Sequence, residues 1–173
     1  MNLENIGYPV IVTPFREHGL LKERLLSAIQ DTPALPYNDN DIISRTDWYC
    51  NPRRDGAGYK NVLSPYIENH FGDLLGKMSY TGFTYTGIWF QQYEKNNRHE
   101  PHRHDFVSWT NVYYLELPED GPRTELYDLY DQTKTFIPDV KEGDILTFPG
   151  FAMHRSPPNL SDKRKTVIVF NVN

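Results

Sequence analysis

The sequence lacks the features that mark secreted, membrane and nucleic-acid-binding proteins. Cys50 is the only cysteine among 173 residues, so no internal disulfide can form and a reducing compartment is indicated. No apolar run reaches the roughly 18 residues that a membrane span needs, and residues 1–5 lack the basic start of a signal peptide. With 18 basic against 23 acidic residues, the composition argues against a general nucleic-acid binder. We therefore expect a cytoplasmic protein without membrane or nucleic-acid partners.

The first half of the chain has helical and loop-like patterns. Apolar spacing predicts a helix over residues 18–30. Turn-forming residues between 31 and 63 indicate mostly loop. Ser64 and Pro65 are typical of a helix start, and the apolar stripe that follows predicts a second helix ending near Tyr80.

From residue 82 the hydrophobic period changes to two, which is typical of strands. Short strands separated by turn residues predict a barrel or sandwich. The length of the chain fits a single domain, residues 1–173, in which 1–81 give helical and loop support to a β core at 82–173. The strands are predicted near residues 82–93, 109–117, 124–130, 135–137, 144–148 and 166–172.

Three histidines are candidates for a metal site. His102 and His104 are two residues apart, so an extended backbone would point both imidazoles to the same side. His154 follows an apolar strand and a Pro-Gly corner, and it is the obvious third donor. Imidazole suits iron, zinc, copper and nickel, and three protein ligands would leave positions open for catalysis. On the other hand, a lone His-x-His in a polar turn is a weak signal and is equally typical of surface histidines.

The order of the motifs resembles the small Fe(II)- and 2-oxoglutarate-dependent oxygenases of the short bacterial and viral, prolyl-hydroxylase-like type. The resemblance covers about residues 85–171, and the segment around His154 and Arg164 is its most specific part. The motifs that carry it are, in order, His102-x-His104, Thr110 to Leu115, Glu142-Gly143-Asp144, Phe148-Pro149, His154, Pro157-Pro158-Asn159, Arg164-x-Thr166 and Phe170-Asn171.

The resemblance implies a mainly β double-stranded β-helix, the jelly-roll or cupin-like fold, with Fe(II) near one mouth. The family's usual ligands are His-x-Asp/Glu and a distal histidine. Here His104 stands in the carboxylate position, and Asp105 follows it. Either His102, His104 and His154 bind the iron, or a β-bulge turns Asp105 inward in place of His104. No catalytic residue is expected beyond these ligands.

The resemblance also implies a site for 2-oxoglutarate as co-substrate. Arg164 matches the family residue that pairs with the distal carboxylate, and Thr166 shares its strand face. Lys165, on the opposite face, is the fallback anchor. Tyr93 matches a tyrosine that contacts the co-substrate, and Tyr113 is a second candidate, although Tyr113 also fits a core position.

The activity implied is hydroxylation of a small-molecule or peptidyl substrate by O2, with release of succinate and CO2. Trp89, Gln91 and Asn111 are candidates for the substrate side, and residues 31–63 and 94–101 are expected to frame the entrance. Two alternatives stay open: a cupin-type metal dioxygenase or isomerase that does not use 2-oxoglutarate, and a non-catalytic binding module on the same barrel. Nothing in the sequence indicates the substrate or the oligomeric state.

Overall fold

The computed structural model describes residues 2–39, 41–50, 58–77 and 82–173, which form twelve strands and two helices. The helices are α1 (His18–Gln30) and α2 (Gly58–Lys77). The strands are β1 (Asn2–Asn5), β2 (Pro9–Pro14), β3 (Leu35–Asn38), β4 (Ile42–Thr46), β5 (Tyr85–Tyr93), β6 (His99–His102), β7 (Trp109–Glu116), β8 (Glu125–Tyr127), β9 (Thr135–Phe136), β10 (Asp144–Pro149), β11 (His154–Ser156) and β12 (Lys165–Val172).

The strands form two antiparallel sheets. The large sheet has the order β1-β2-β10-β7-β12-β5-β4-β3, and the small sheet has the order β6-β11-β8-β9. Strand β12 lies between β7 and β5, and its residues pair with both along nearly its whole length. All the pairings are antiparallel, although β10, β7, β12 and β5 are neighbours in the sheet without being consecutive in the chain.

The large sheet is buried on both faces because a different layer covers each one. On one face, Phe90, Tyr113 and Ile168 pack against the apolar stripes of α1 and α2. On the other face, alternate residues such as Val112 and Val167 pack with Leu126 of the small sheet. Since successive side chains of a strand point to opposite faces, one strand serves both cores.

The N-terminal part contributes more to the sheet than the sequence indicated. Strand β2 pairs with β10, and β4 pairs with β5, so β1 to β4 extend the large sheet at both edges. The prediction of helical and loop support over residues 1–81 is therefore wrong for these strands. The prediction of loop over 31–63 fails for β3 and β4. Strand β4 pairs with β5 and β3 pairs with β4, and the Ile42, Ile43 and Thr46 side chains of β4 favour a strand.

Helix α2 begins at Gly58, six residues before the predicted N-cap at Ser64. Pro65 therefore lies inside the helix, and the Ser64 hydroxyl donates to the carbonyl of Lys60 at 2.7 Å. The stripe Tyr59, Leu63, Ile67 and Phe71 is fully buried, so packing outweighs the backbone hydrogen bond that proline removes. The predicted end near Tyr80 lies outside the described residues. Helix α1 has the bounds predicted for it.

No helix in the described ranges is long and apolar enough to cross a membrane.

Candidate metal centre

Three histidines meet where the small sheet approaches β7 and β12. His102 ends β6 and pairs in register with His154, the first residue of β11. His104 follows two residues later, and its amide donates to the carbonyl of Gly150 at 2.9 Å. A side chain at Gly150 would meet the carbonyl oxygen of Val107 at 2.4 Å, so this close approach requires glycine. The Pro-Gly corner thus holds His104 beside the other two histidines.

The three imidazoles are close enough to share one ion. Their candidate ligand atoms all lie within 4.8 Å of one another. The ring centroids of His102 and His154 are 4.2 Å apart, and those of His104 and His154 are 5.1 Å apart. The structure therefore brings together the three histidines that the sequence indicated.

Each of these histidines has an oxygen atom within hydrogen-bond distance of its Nδ1. The acceptors are the carbonyl of Glu100 for His102 at 2.8 Å, the carbonyl of Ala152 for His154 at 2.9 Å, and Oδ1 of Asn171 for His104 at 2.9 Å. A carbonyl oxygen can only accept, so Nδ1 carries the proton in all three rings and Nε2 keeps a free lone pair. This arrangement is typical of metal-binding histidines, whose second nitrogen is fixed by an outer hydrogen bond.

Burial keeps the three imidazoles neutral. It lowers the pKa of His104 to about 4, although the hydrogen bond that the ring donates to Asn171 opposes the shift. Burial is also the main cause that lowers the pKa of His102 and, more strongly, that of His154. Because only the neutral ring can bind a metal, these histidines are ready for a metal at neutral pH.

Asp105 lies outside this cluster. Its side chain is 61% exposed and pairs with the guanidinium of Arg103 at 3.0 Å. His104, in contrast, is held by Asn171 and by the Thr110 hydroxyl at 2.9 Å. Of the two alternatives that the sequence left open, the geometry favours His104 as the ligand.

Arg164 is separated from the histidines by the sheet. Its guanidinium forms two hydrogen bonds with the carboxylate of Glu116, at 2.9 and 3.0 Å. The Thr166 hydroxyl also donates to Glu116. The alternation of side chains along a strand correctly predicted that Arg164 and Thr166 share a face of the sheet. That face points away from the three histidines. The prediction that these two residues bind the co-substrate does not fit the structure.

Lys165 points into the cavity that the histidines line. It is 1% exposed, and its Nζ donates to the Ser156 hydroxyl at 2.8 Å. The Nζ atom also lies 5.1 Å from the ring centroid of Tyr93 and 5.7 Å from that of Tyr114. Among the described residues, no carboxylate lies within ion-pair distance of Lys165. Burial is the main cause that lowers its pKa to about 7, and the charge of Arg123 lowers it further.

The other predicted residues divide between the two faces of the large sheet. Tyr93, Trp89 and Gln91 line the cavity, and the Tyr93 hydroxyl donates to Gln91 Oε1 at 2.8 Å. Tyr113 and Asn111 share the opposite face of β7. Tyr113 packs in the helix-side core, and its hydroxyl lies 2.8 Å from His18 Nδ1. The predictions of site roles for Tyr113 and Asn111 are therefore not supported.

Asn111 has a structural role instead. It is fully buried, donates to the Phe170 carbonyl at 3.1 Å, and accepts from the Thr147 hydroxyl at 2.7 Å. These bonds join β7 to β12 and β10.

His99 belongs to the cluster but was missed in the sequence. Its ring stacks on that of His102 with centroids 3.7 Å apart, and its Nδ1 lies 3.4 Å from Gln91 Nε2. Residues 99 and 102 are three apart, so regular strand alternation would place their side chains on opposite faces. They share a face because the pairing of β6 with β11 is irregular between His154 and Ser156. Burial lowers the pKa of His99 to about 2.

Two cavities meet at the histidines. The inner one is narrow, about 30 Å³, and ends at Lys165, Ser156 and Thr124. The outer one, of about 360 Å³, opens between the histidines and a wall that includes Tyr37, Trp48 and Tyr49. Of the residues expected to frame the entrance, several between 37 and 49 and His99 line this cleft, while residues 51–57 lie outside the described residues. The cluster therefore faces a small cationic cavity on one side and a larger open cleft on the other.

The fold is shared with solved 2-oxoglutarate-dependent enzymes. SnoN, a non-heme alpha-ketoglutarate-dependent epimerase from nogalamycin biosynthesis, matches with a TM-score of 0.71 at 11% identity, over 95% of this chain and 77% of SnoN. An oxidoreductase of the 2OG-Fe(II) oxygenase family from Burkholderia pseudomallei has a TM-score of 0.71 at 13% identity, over 95% and 85% of the two chains. A prolyl-4-hydroxylase from Pseudomonas putida has a TM-score of 0.65 at 13% identity, over 98% and 94%.

These similarities confirm the predicted jelly-roll fold. No protein-family model matches the sequence, and no curated protein is significantly similar to it. Because one fold serves many chemistries, the function must be argued from the site.

Proposed function

We propose that the protein is an Fe(II)- and 2-oxoglutarate-dependent oxygenase in which His102, His104 and His154 bind the metal and Lys165 binds the co-substrate. The observation that carries this proposal is the combination, in one cavity, of three convergent neutral imidazoles with a buried lysine that has no carboxylate partner among the described residues. Bound iron and 2-oxoglutarate would supply the oxidising chemistry, in which the oxo acid becomes succinate and CO2 and a substrate C–H bond is hydroxylated.

The donor set fits a divalent first-row metal. Each Nε2 has a free lone pair, and each ring is held in place by an oxygen at Nδ1. Three protein ligands leave coordination positions for a bidentate oxo acid and for O2. The protein thus supplies the geometry and the neutral state of the ligands.

Lys165 fits the distal carboxylate of 2-oxoglutarate. A buried ammonium without an anionic partner is costly, and a carboxylate would offset that cost. The Ser156 hydroxyl, 2.8 Å from Nζ, could bond the same carboxylate. Lysine acts here as a point charge, in place of the bidentate arginine that the sequence resemblance implied. SnoN has been solved with Fe3+ and alpha-ketoglutarate, which supports this co-substrate for the shared fold.

Anaerobic titration of the metal-free protein with Fe(II) and 2-oxoglutarate tests the proposal. We expect the visible charge-transfer band of the Fe(II)–oxo-acid chelate only when both components are present. Lys165→Met should abolish the band at moderate 2-oxoglutarate concentration while iron still binds. Arg164→Met is the matched control. It removes the neighbouring cation, which lies on the sheet face opposite the histidines, and should keep the band.

A second candidate is a cupin-type metal dioxygenase that does not use 2-oxoglutarate. The observation that favours it is the all-histidine donor set, which differs from the usual two histidines and one carboxylate. Iron binding without the chelate band would support this candidate. No iron binding at all would contradict both and leave a non-catalytic binding module.

A further inference from the structure

The outer cleft contains an unusual number of aromatic rings. Tyr37, Trp48, Tyr49 and Trp89 all line it. Trp48 and Tyr49 are 54% and 55% exposed, although large aromatic side chains are normally more deeply buried. The centroid of the Trp48 ring lies 4.4 Å from that of Trp89, whose ring in turn lies 5.5 Å from that of His104. An aromatic surface therefore leads from solvent to the metal ligands.

This surface is held on a rigid turn. The Thr46 hydroxyl accepts the amide of Trp48 at 3.2 Å. The Asp47 carboxylate is buried and accepts from the Tyr59 hydroxyl at 2.8 Å and from the Phe90 amide at 2.9 Å. Because these bonds tie the turn to α2 and to β5, the backbone at Trp48 is held beside the cleft, which lowers the entropic cost of binding.

The cleft also carries a carboxylate, that of Asp41. Asp41 accepts the amide of Glu100 at 2.6 Å, and its other oxygen lies 3.6 Å from His99 Nε2, beyond hydrogen-bond distance. No lysine or arginine of the described ranges lies within ion-pair distance of Asp41. The second carboxylate, Asp105, already pairs with Arg103. Among the described residues, Asp41 is therefore the carboxylate of this cleft that pairs with no lysine or arginine and can meet a cationic ligand.

A carboxylate beside exposed tryptophan and tyrosine rings is the chemistry that recognises a cationic nitrogen. A cation is attracted by the faces of aromatic rings, most strongly by tryptophan, and by the nearby negative charge. An anionic ligand would be repelled, and a neutral apolar ligand would leave the Asp41 charge desolvated.

We infer that the primary substrate carries an ammonium or guanidinium group on an aliphatic arm, with the cation held between Asp41 and the aromatic rings of the cleft. The carbons of the arm would then lie along Trp89 towards His104, where a C–H bond can be oxidised. This inference rests on the proposed function for the oxidation step, but not for the binding step.

Isothermal titration calorimetry of the full chain without added iron tests the binding step. The probe is N-acetyl-lysine N-methylamide, compared with the norleucine analogue, which lacks the ammonium. We expect the lysine compound to bind at least ~10-fold more tightly. Free L-lysine in the same series separates a free amine substrate from a lysyl side chain.

Asp41→Asn is the decisive variant because asparagine is isosteric and keeps an oxygen for the Glu100 amide. We expect the ratio of the affinities for the lysine and norleucine compounds to fall below about 3 in this variant. Asp105→Asn, which removes the paired carboxylate in the same cleft, should keep the ratio. Trp48→Leu, at an exposed position, should weaken the lysine compound more than norleucine.

The inference is overturned if norleucine binds as tightly as lysine, if N-acetyl-glutamate N-methylamide binds more tightly than either, or if Asp41→Asn keeps the ratio. Failure of the proposed function would be seen separately, in the titration with iron and 2-oxoglutarate. The two hypotheses can therefore fail independently.

Discussion

Two neighbouring cations, Arg164 and Lys165, illustrate how much depends on the direction of a single side chain. Arg164 reaches Glu116 on the face of the sheet opposite the histidines, where solvent and the carboxylate stabilise its charge. Lys165 is buried beside two tyrosine rings, with a serine hydroxyl as its hydrogen-bond partner. The free energy of folding therefore contains an unfavourable contribution from Lys165 that Arg164 does not make.

Replacement of Lys165 by methionine should stabilise the protein at neutral pH. Burial lowers the pKa of Lys165 in the folded state to about 7 from the ordinary 10.5. Between these values the unfolded chain binds a proton that the folded protein does not, so this group makes wild-type stability rise with pH. We expect Lys165→Met to be more stable by on the order of 3 kcal/mol at pH 7, measured by urea unfolding.

The same linkage predicts that the difference in unfolding free energy between Lys165→Met and wild type shrinks as pH increases towards 10. Arg164→Met should show no such pH dependence, because its pKa lies above this range in both states. A constant difference between Lys165→Met and wild type from pH 7 to 10 would contradict the account.

The neighbouring residues His104 and Asp105 allow an equally direct comparison of ligands. If His104 binds the metal, His104→Ala should weaken Co(II) affinity by roughly 100-fold or more, since one of three protein donors is lost. Asp105→Ala should stay within about twofold, because its carboxylate is exposed and paired with Arg103. Competition with a coloured chelator measures both affinities. If Asp105→Ala lowered the Co(II) affinity more than His104→Ala, the ligand would be Asp105, in the bulged arrangement.

At the scale of elements, the turn between β10 and β11 positions one of the ligands. An added Cβ at Gly150 would meet Val107 Cγ2 and the Val107 carbonyl oxygen, both at 2.4 Å. The backbone oxygen cannot rotate away, so Gly150→Ala should destabilise the protein by about 1–3 kcal/mol. It should also lower metal affinity, because His104 donates its amide to Gly150.

Gly72 in α2 is the control for that substitution. An added Cβ there has no atom within 4 Å, so Gly72→Ala should stabilise by about 0.5–1 kcal/mol through helix propensity. Thermal unfolding of the two variants measures the contrast. Equal effects would mean that the close approach at Gly150 has no energetic weight.

The elements that the sequence predicted are those whose pattern is local. Helix α1 and strands β5, β7, β10 and β12 carry their own periodicity, since their apolar residues recur within one segment. Strands β3 and β4 are too short to show such a pattern; β4 finds its backbone partner in β5, and β3 finds its partner in β4. The early start of α2 has the same origin, because tertiary packing of Tyr59 overrides the local signal of Ser64 and Pro65.

At the scale of the whole molecule, the site was predictable in part for a similar reason. The separation of His102 and His104 by two residues, and the corner before His154, are local features, and the structure brings these residues together. Parity separated Arg164 from Lys165, but which face of β12 turns inward depends on β5 and β7. The contributions of Asp41 and Trp48 depend on β4 joining the sheet, so no short segment could reveal them.

Ligand binding should raise the stability of the whole fold by mass action. Co(II), a divalent stand-in for Fe(II), should stabilise by about 2.7 kcal/mol at 100 times its Kd. Addition of 2-oxoglutarate should raise Tm further only when the metal is present. In Lys165→Met the metal increment should remain and the 2-oxoglutarate increment should be lost, while His154→Ala should lose the metal increment. A 2-oxoglutarate effect that is independent of metal would contradict the shared site.

The position of β12 has a consequence for how the protein is made. It is the last of the twelve strands in chain order, yet it lies between β7 and β5 near the middle of the large sheet. It also supplies Lys165, and Asn171, which holds His104. During synthesis, β5 and β7 emerge with a gap between them, exposing apolar surface and unpaired backbone that favour aggregation. We therefore expect the candidate metal centre to reach its final geometry only after β12 has been synthesised and has joined the sheet.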